Sequence, residues 1–272
     1  MSETQTYPNP PVIELVLGAQ FAPLDKFTAG HFGAIWDAVG RSEWVTPTDS
    51  PELEIQTETF GQAHWLPPSL QLKFSPIRGP GRLILANATG DQIVQIQRNR
   101  LHMNWRKGGT RYPSYKKLIA EFLALFDRVD HVAKGSGLGE IRLDQWEITY
   151  IDAFAHKEYW NTTADWPNVL PGLFGRLFAT DGTGLELERR AAEWTFEIAP
   201  RLGRLHVAAH MGMLSDEASE CLMLNMTARG PLKASEGREG LVAGLDIGHR
   251  AAVAAFERSA SQEARARWGE PT

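Results

Sequence analysis

One order of predicted elements occurs twice along the chain, and this repetition constrains the fold more than any other sequence feature. In the first half, the buried-strand pattern Val12–Phe21 precedes a helix after Asp25, several short strands and an amphipathic helix after Ser114. In the second half, the strand Trp146–Phe154 precedes a short helix candidate, Trp166–Phe178, which Pro171 interrupts. Three strands and the helix Leu241–Arg258 follow. The short strands are predicted at 70–74, 82–87, 93–97 and 101–105, and then at 194–198, 205–211 and 221–226.

This order predicts an α+β fold built from two similar β-α-β(3-4)-α halves, residues 1–137 and 138–272. The halves are expected to form one pseudo-symmetric antiparallel sheet with helices on one face. Two short sequence similarities between the halves favour a duplication. Glu14 and Glu147 occupy matching strand positions, and the letters RLH begin strands at Arg100 and Arg204. A helix-grip fold with a cavity under the sheet is the alternative architecture.

The composition excludes several classes of protein. The 272 residues are 43% hydrophobic and 10% aromatic, which is enough material for a core and excludes low-complexity disorder. Cys221 is the only cysteine, so a disulfide scaffold is excluded. The first residues lack the basic and apolar regions of a signal peptide, and no apolar run is long enough for a bilayer, so we expect a cytoplasmic protein without membrane contact. A net charge of −5 argues against nucleic acid as a partner.

Alternation along the predicted strands assigns a polar set of side chains to one face of the sheet. Leu101, Met103 and Trp105 are expected to face the helices, and their neighbours face away. Amide, imidazole and guanidinium groups can recognise planar polar ligands such as a peptide backbone or a carboxylate. The predicted binding strip comprises Gln95, Gln97, Arg98, Arg100, His102, Asn104, Arg106, His206 and His210. An ordinary solvated sheet face would show the same alternation.

A metal site is a weaker alternative for the same face. His206 and His210 are four residues apart, a spacing that suits one ion on a helix but spans about 13 Å on a strand. The alternative ligand set is His102, His206, Glu14 and Glu147. Because none of the common phosphate-loop, zinc-protease or serine-hydrolase motifs is present, we expect no cofactor.

The long polar stretch from Glu43 to Trp65 has few features of a regular element. Loops of this length in compact domains are often functional or disordered. Trp44 and Trp65 bracket the stretch, and the sequence leaves open whether it covers the sheet as a lid.

Three blocks of the sequence resemble a sporadically distributed bacterial family of proteins of about this length with no settled function. The blocks are YPNPPVIELVLGAQF at 7–21, IVQIQRNRLHMNWRKGGTRYPSY at 93–115 and LDIGHRAAVAAFERSASQEARARWGE at 245–270. The strand at 147–154 departs from the family pattern, because Asp152 stands where the resemblance implies Asn. The scattered distribution of the family implies a role in a mobile defence, toxin–antitoxin or specialised-biosynthesis system.

The central block has two interpretations. In the structural one, Arg100 and Asn104 satisfy backbone groups at a bend, Trp105 fills the core and Pro113 sets the start of the helix. In the functional one, the same strand carries the binding strip.

We expect a non-catalytic binding or accessory protein that uses an open sheet face or a helix surface. The expected partner is a protein or peptide, and a small-molecule ligand is a further possibility. The alternative is an enzyme or enzyme subunit with a pocket of His and Glu side chains, which could depend on a metal.

The face assignment gives a first testable prediction. If the strip is open, replacing His102, Asn104 and Arg106 by Ala changes stability by at most about 0.5 kcal/mol each, as is usual for exposed sites. Trp105→Ala is expected to cost roughly 3–5 kcal/mol through the cavity that it leaves. Thermal melts of the two variants test this contrast.

Overall fold

The computed structural model describes residues 7–61, 79–109, 111–175, 184–185, 187–214 and 219–269. These residues form an α+β fold with one nine-stranded sheet in which every neighbouring pair is antiparallel. The strands are β1 (Val12–Phe21), β2 (Thr46–Ser50), β3 (Arg82–Ala86), β4 (Gln92–Gln97), β5 (Arg100–Arg106), β6 (Leu143–Ala155), β7 (Ala192–Ile198), β8 (Gly203–Leu214) and β9 (Ser219–Pro231). The helices are α1 (Ala29–Val39), α2 (Tyr115–Gly135), α3 (Trp166–Val169), α4 (Gly237–Ser259) and α5 (Gln262–Ala266).

The strand order across the sheet is β2-β3-β4-β5-β1-β6-β9-β8-β7. The first strands of the two predicted halves, β1 and β6, therefore pair at the centre. The remaining strands of each half lie on their own side of this pair. The predicted α+β class and single antiparallel sheet are confirmed, whereas the pseudo-symmetry of the halves and the division at residue 137 stay predictions.

Local elements differ from the sequence prediction in three places, and the strand predicted at 70–74 lies outside the described residues. β2 forms in the stretch that was predicted to be irregular, and α5 was not predicted. The helix predicted from Trp166 ends at Val169, because Pro171 lacks an N–H donor and disfavours helical backbone at Leu170.

The helices lie on one face of the sheet, where α4 packs against β6, β8 and β9. Trp146 on β6 lies at the centre of this contact and is 2% exposed. A Cβ atom on Gly244 or Gly248 of α4 would overlap the Trp146 ring, so both glycines are required for the close approach of α4 to the sheet. Among the described helices, none has the length and apolar character needed to span a bilayer.

Gly244→Ala is expected to destabilise the protein by roughly 1–3 kcal/mol, the usual cost of overpacking a core. Helix propensity alone predicts the opposite sign, since alanine is preferred to glycine inside a helix by about 0.5–1 kcal/mol. The exposed neighbour Ala243 supplies the matched control, because Ala243→Gly should show only the propensity cost. Urea denaturation of both variants measures the contrast, and a stabilising Gly244→Ala would contradict the packing.

Candidate functional site

The sheet face opposite the helices carries aligned rows of polar side chains. One row runs through directly paired residues of four strands: Gln97, Arg100, Gln20 and Gln145. The alternation predicted for β5 is confirmed, because Leu101, Met103 and Trp105 are buried in the core below. The polar row crosses the sheet perpendicular to the strands.

Residues 51–61, which we call the strap, lie across this polar face. Gln97 pairs with the main chain of Leu53 through both atoms of its amide, accepting from the Leu53 N–H at 2.9 Å and donating to its carbonyl at 3.1 Å. Arg100 Nη2 donates to the carbonyl of Glu54 at 3.1 Å. The first half of the strap is therefore held by its backbone.

The second half of the strap is held in the same way. The Gln145 amide accepts from the Glu58 N–H at 2.8 Å and donates to the carbonyl of Gln56 at 2.7 Å. Gln20 Nε2 donates to the same carbonyl at 3.3 Å. Arg204 Nη2 donates to the carbonyl of Thr59 at 2.8 Å.

The contacts show that the strap runs across the strands. It passes from Leu53 at β4 to Thr59 at β8, a distance of five strand spacings or about 24 Å. Six fully extended residues span only roughly 20 Å. The strap is therefore extended, and the side chains of Gln97 and Arg204 that bind its ends cover the remaining distance.

Glu58 is the main side-chain anchor of the strap. Its carboxylate oxygens lie 2.6 Å from Arg204 Nη1, 2.7 Å from Arg229 Nε and 2.6 Å from His206 Nε2. The side chain is only 8% exposed. Burial alone would raise the pKa of Glu58, but the hydrogen bonds from His206, Arg204 and Arg229 outweigh it and lower the pKa to about 2. Because an ionised carboxylate can only accept, His206 Nε2 carries a proton in this contact.

A histidine and a glutamate meet across Gly18 in the middle of the face. Gly18 pairs with His102 on β5 and with Glu147 on β6, and a side chain at position 18 would overlap the His102 ring. His102 Nε2 lies 3.4 Å from the Glu147 carboxylate but has no hydrogen-bond partner among the residues that the structure describes. Burial lowers the pKa of His102 to about 4, against the opposing charge of Glu147, so the imidazole is neutral near pH 7.

The predicted exposure of the binding strip is wrong for most of its central residues. Gln97, Arg100, His102 and Asn104 are each at most 5% exposed, whereas Arg106 is exposed as expected. The strap explains the burial of Gln97 and Arg100, because its main chain forms hydrogen bonds with both side chains. The triple alanine variant should consequently lose much more stability than an open face predicts.

The other predicted residues occupy separate positions. Arg98 lies 3.4 Å from Glu52 of the strap. Gln95 donates to Asn104 at 3.0 Å, and Asn104 in turn donates to Glu14. His210 lies 3.2 Å from the Asn225 amide and 2.9 Å from the carbonyl of Met211.

The alternative metal ligands are not brought together. His102 lies beside Glu147, His206 binds Glu58, and Glu14 contacts Asn104 and Arg106. Within the described ranges, no group of three or more His, Cys, Asp or Glu side chains could hold a metal ion.

Sequence reasoning missed several residues of the contact between the strap and the sheet. These are Gln20, Gln145, Arg204 and Arg229 of the sheet and Glu58 of the strap. Gln20 and Gln145 are amides in or beside apolar strands, and they are 5% and 1% exposed. A polar residue in a buried-strand pattern was the signal that could have found them, since buried amides require hydrogen-bond partners.

A second polar cluster lies on the helix side of the sheet and joins two of the blocks that carry the family resemblance. Tyr115 donates to Asp246 at 2.8 Å, and its ring stacks on His249 with centroids 3.9 Å apart. Tyr150 lies 2.6 Å from His249 Nδ1. Burial lowers the pKa of His249 to about 4. This cluster ties the start of α2 and the middle of α4 to β6.

Asp152, which stands where the resemblance implies Asn, is also buried on this side. Burial raises its pKa to about 8, so the side chain is mostly protonated at pH 7. A protonated carboxyl group has the same shape as an amide and carries no charge.

A cavity of about 340 Å³ adjoins the strap on the polar face. Its lining includes Gln56 of the strap together with Glu147, Thr149, His206, Thr227 and Arg229 of the sheet.

No family model and no curated protein matches this chain. Among solved structures, the chain is similar to DynU16, a protein in the dynemicin biosynthetic locus, with 15% identity and a TM-score of 0.28. The alignment covers 94% of this chain and 99% of DynU16. A similarity at this TM-score supports no argument about function.

Glu58→Gln is expected to lower the free energy of unfolding by roughly 3 kcal/mol at pH 7, because the pKa lies about 2.5 below its ordinary value of 4.5. A depressed carboxyl pKa stabilises the folded state above the unfolded pKa. The difference in the free energy of unfolding between wild type and variant should therefore shrink as the pH falls from about 4.5 towards 2. Urea denaturation at pH 7 and pH 3 measures it.

Glu54 provides the control for this substitution. Its side chain is exposed, so Glu54→Gln should change stability by at most about 0.5 kcal/mol at either pH. Equal effects at the two positions would contradict the anchoring role of Glu58.

Proposed function

We propose that this chain is a non-catalytic binding protein whose polar sheet face receives an extended peptide segment. One observation carries the proposal: Gln97 and Gln145 each bind the main chain of the strap through both atoms of the amide. In the structure, the strap occupies the site that the peptide partner would take.

This form of binding is transferable from the strap to another peptide. Any residue other than proline offers the same N–H and carbonyl groups to Gln97 and Gln145. The strap itself buries little apolar surface, and Ile55 is 58% exposed. It also belongs to none of the strands, so the sheet does not require the strap for its own ladder. Exchange of one extended segment for another therefore conserves the hydrogen bonds of the face.

The predicted peptide partner agrees with this arrangement, although the partner would bind in place of the strap rather than on an open face. The role in a mobile defence or specialised-biosynthesis system stays a prediction from the family resemblance. The predicted enzyme alternative is not proposed, since its His and Glu side chains are divided between contacts with the face and the strap.

A labelled peptide of sequence ELEIQTETFG, which corresponds to residues 52–61, tests the proposal in trans. The receptor is an open-face variant in which Leu53 and Glu58, whose N–H groups bind Gln97 and Gln145, are both replaced by proline, which has no N–H group. We expect saturable binding by fluorescence anisotropy, at least about tenfold tighter than to wild type, whose own strap competes for the face. Adding Gln145→Ala should weaken binding about tenfold or more, because two hydrogen bonds of roughly 1 kcal/mol each are lost.

Folding of the open-face variant is checked first by its thermal melt. If this variant does not fold, the Glu58→Gln protein, whose strap is weakened at one position, takes its place in the titration. A folded receptor that shows no saturable binding of the peptide would contradict the proposed function.

A further inference from the structure

We infer that the peptide partner carries one acidic side chain, which takes the place of Glu58 between Arg204, His206 and Arg229. This inference rests on the proposed function and specifies the ligand class of the same site. It is carried by the geometry around Glu58, by the register of the main chain and by the charges of the surrounding side chains.

The three donors form a pocket for a single carboxylate. Arg204 Nη1 binds one oxygen at 2.6 Å, and the other oxygen receives Arg229 Nε at 2.7 Å and His206 Nε2 at 2.6 Å. All three donors project from the adjacent strands β8 and β9. Charge-assisted hydrogen bonds of this kind are stronger than those between neutral groups. The pocket therefore contributes more selectivity than the main-chain contacts, which any peptide can make.

The main-chain contacts fix where the acidic residue must stand in the ligand. Gln145 binds the N–H of Glu58 itself and the carbonyl of Gln56, two residues earlier. Arg204 donates to the carbonyl of Thr59, the residue after Glu58. The Arg204 guanidinium also lies 4.4 Å from the centre of the Phe60 ring. The expected ligand is thus an extended segment with a glutamate followed, two residues later, by an aromatic residue.

The charges of the site favour a carboxylate over a phosphate. Arg204 and Arg229 bring two positive charges, and the Glu147 carboxylate lies 3.4 Å from Arg229 Nη1. The Glu147 carboxylate therefore offsets part of the positive charge beside the pocket and disfavours a ligand group with more than one negative charge. A phosphate group would bring a charge of about −1.5 to −2 at pH 7 and would be repelled by Glu147.

Peptide variants titrated into the open-face variant test this inference. Relative to ELEIQTETFG, the peptide with Glu58→Gln should bind at least about tenfold more weakly, because charge-assisted bonds contribute more than neutral ones. The matched peptide with Glu54→Gln should bind within about twofold of the parent, since the corresponding side chain of the strap is exposed. In a receptor that also carries Arg229→Gln, the preference for glutamate over glutamine should fall.

The outcomes separate this inference from the proposed function. Equal binding of the glutamate and glutamine peptides would overturn the acidic preference and leave main-chain recognition intact. Tighter binding of a peptide with phosphoserine in place of Glu58 would also overturn it. If no peptide binds, the proposed function itself fails. If wild type sediments as a dimer that Glu58→Gln dissociates, the occupant is the strap of a second copy, and a separate partner is excluded.

Discussion

The hydrogen bonds from buried amide side chains to the main chain of the strap are the interaction on which the polar face depends. A backbone that lies on a sheet without joining its ladder must find other partners for its N–H and carbonyl groups. Gln97 and Gln145 provide them, each with one donor and one acceptor. The same bonds satisfy the two buried amides, so neither the strap nor the face would be fully bonded without an occupant or water.

The strap also connects the two predicted halves of the chain. It follows β2 in the first half, yet its strongest anchors, Arg204 and Arg229, belong to the second half. The ionised Glu58 side chain thereby links the sheet across the central β1–β6 pair. On the opposite face, Tyr115 of the first half binds Asp246 and stacks on His249 of the second. Polar contacts between the halves thus lie on both sides of the sheet.

The two polar clusters differ in whether another molecule could take the place of one of the bonded partners. The helix-side contacts of Tyr115 are made between side chains of elements that build the core, so replacing them would disturb the packing of α4. The contacts of the strap are made to a segment outside every strand and helix. This difference is the reason for placing the binding function on the polar face and a structural role on the helix side.

The sequence determined the class of fold and the two faces of the strands. Strand alternation correctly put Leu101, Met103 and Trp105 in the core and their neighbours on the other face, because the period of two is a local property of the backbone. It could not show that His102 and Asn104 are buried, or that Glu58 meets Arg204 and Arg229, 146 and 171 residues away. Hydrogen bonds to a main chain leave no pattern in the sequence, since every residue offers the same backbone groups. Only the tertiary structure decided which segment covers the polar face.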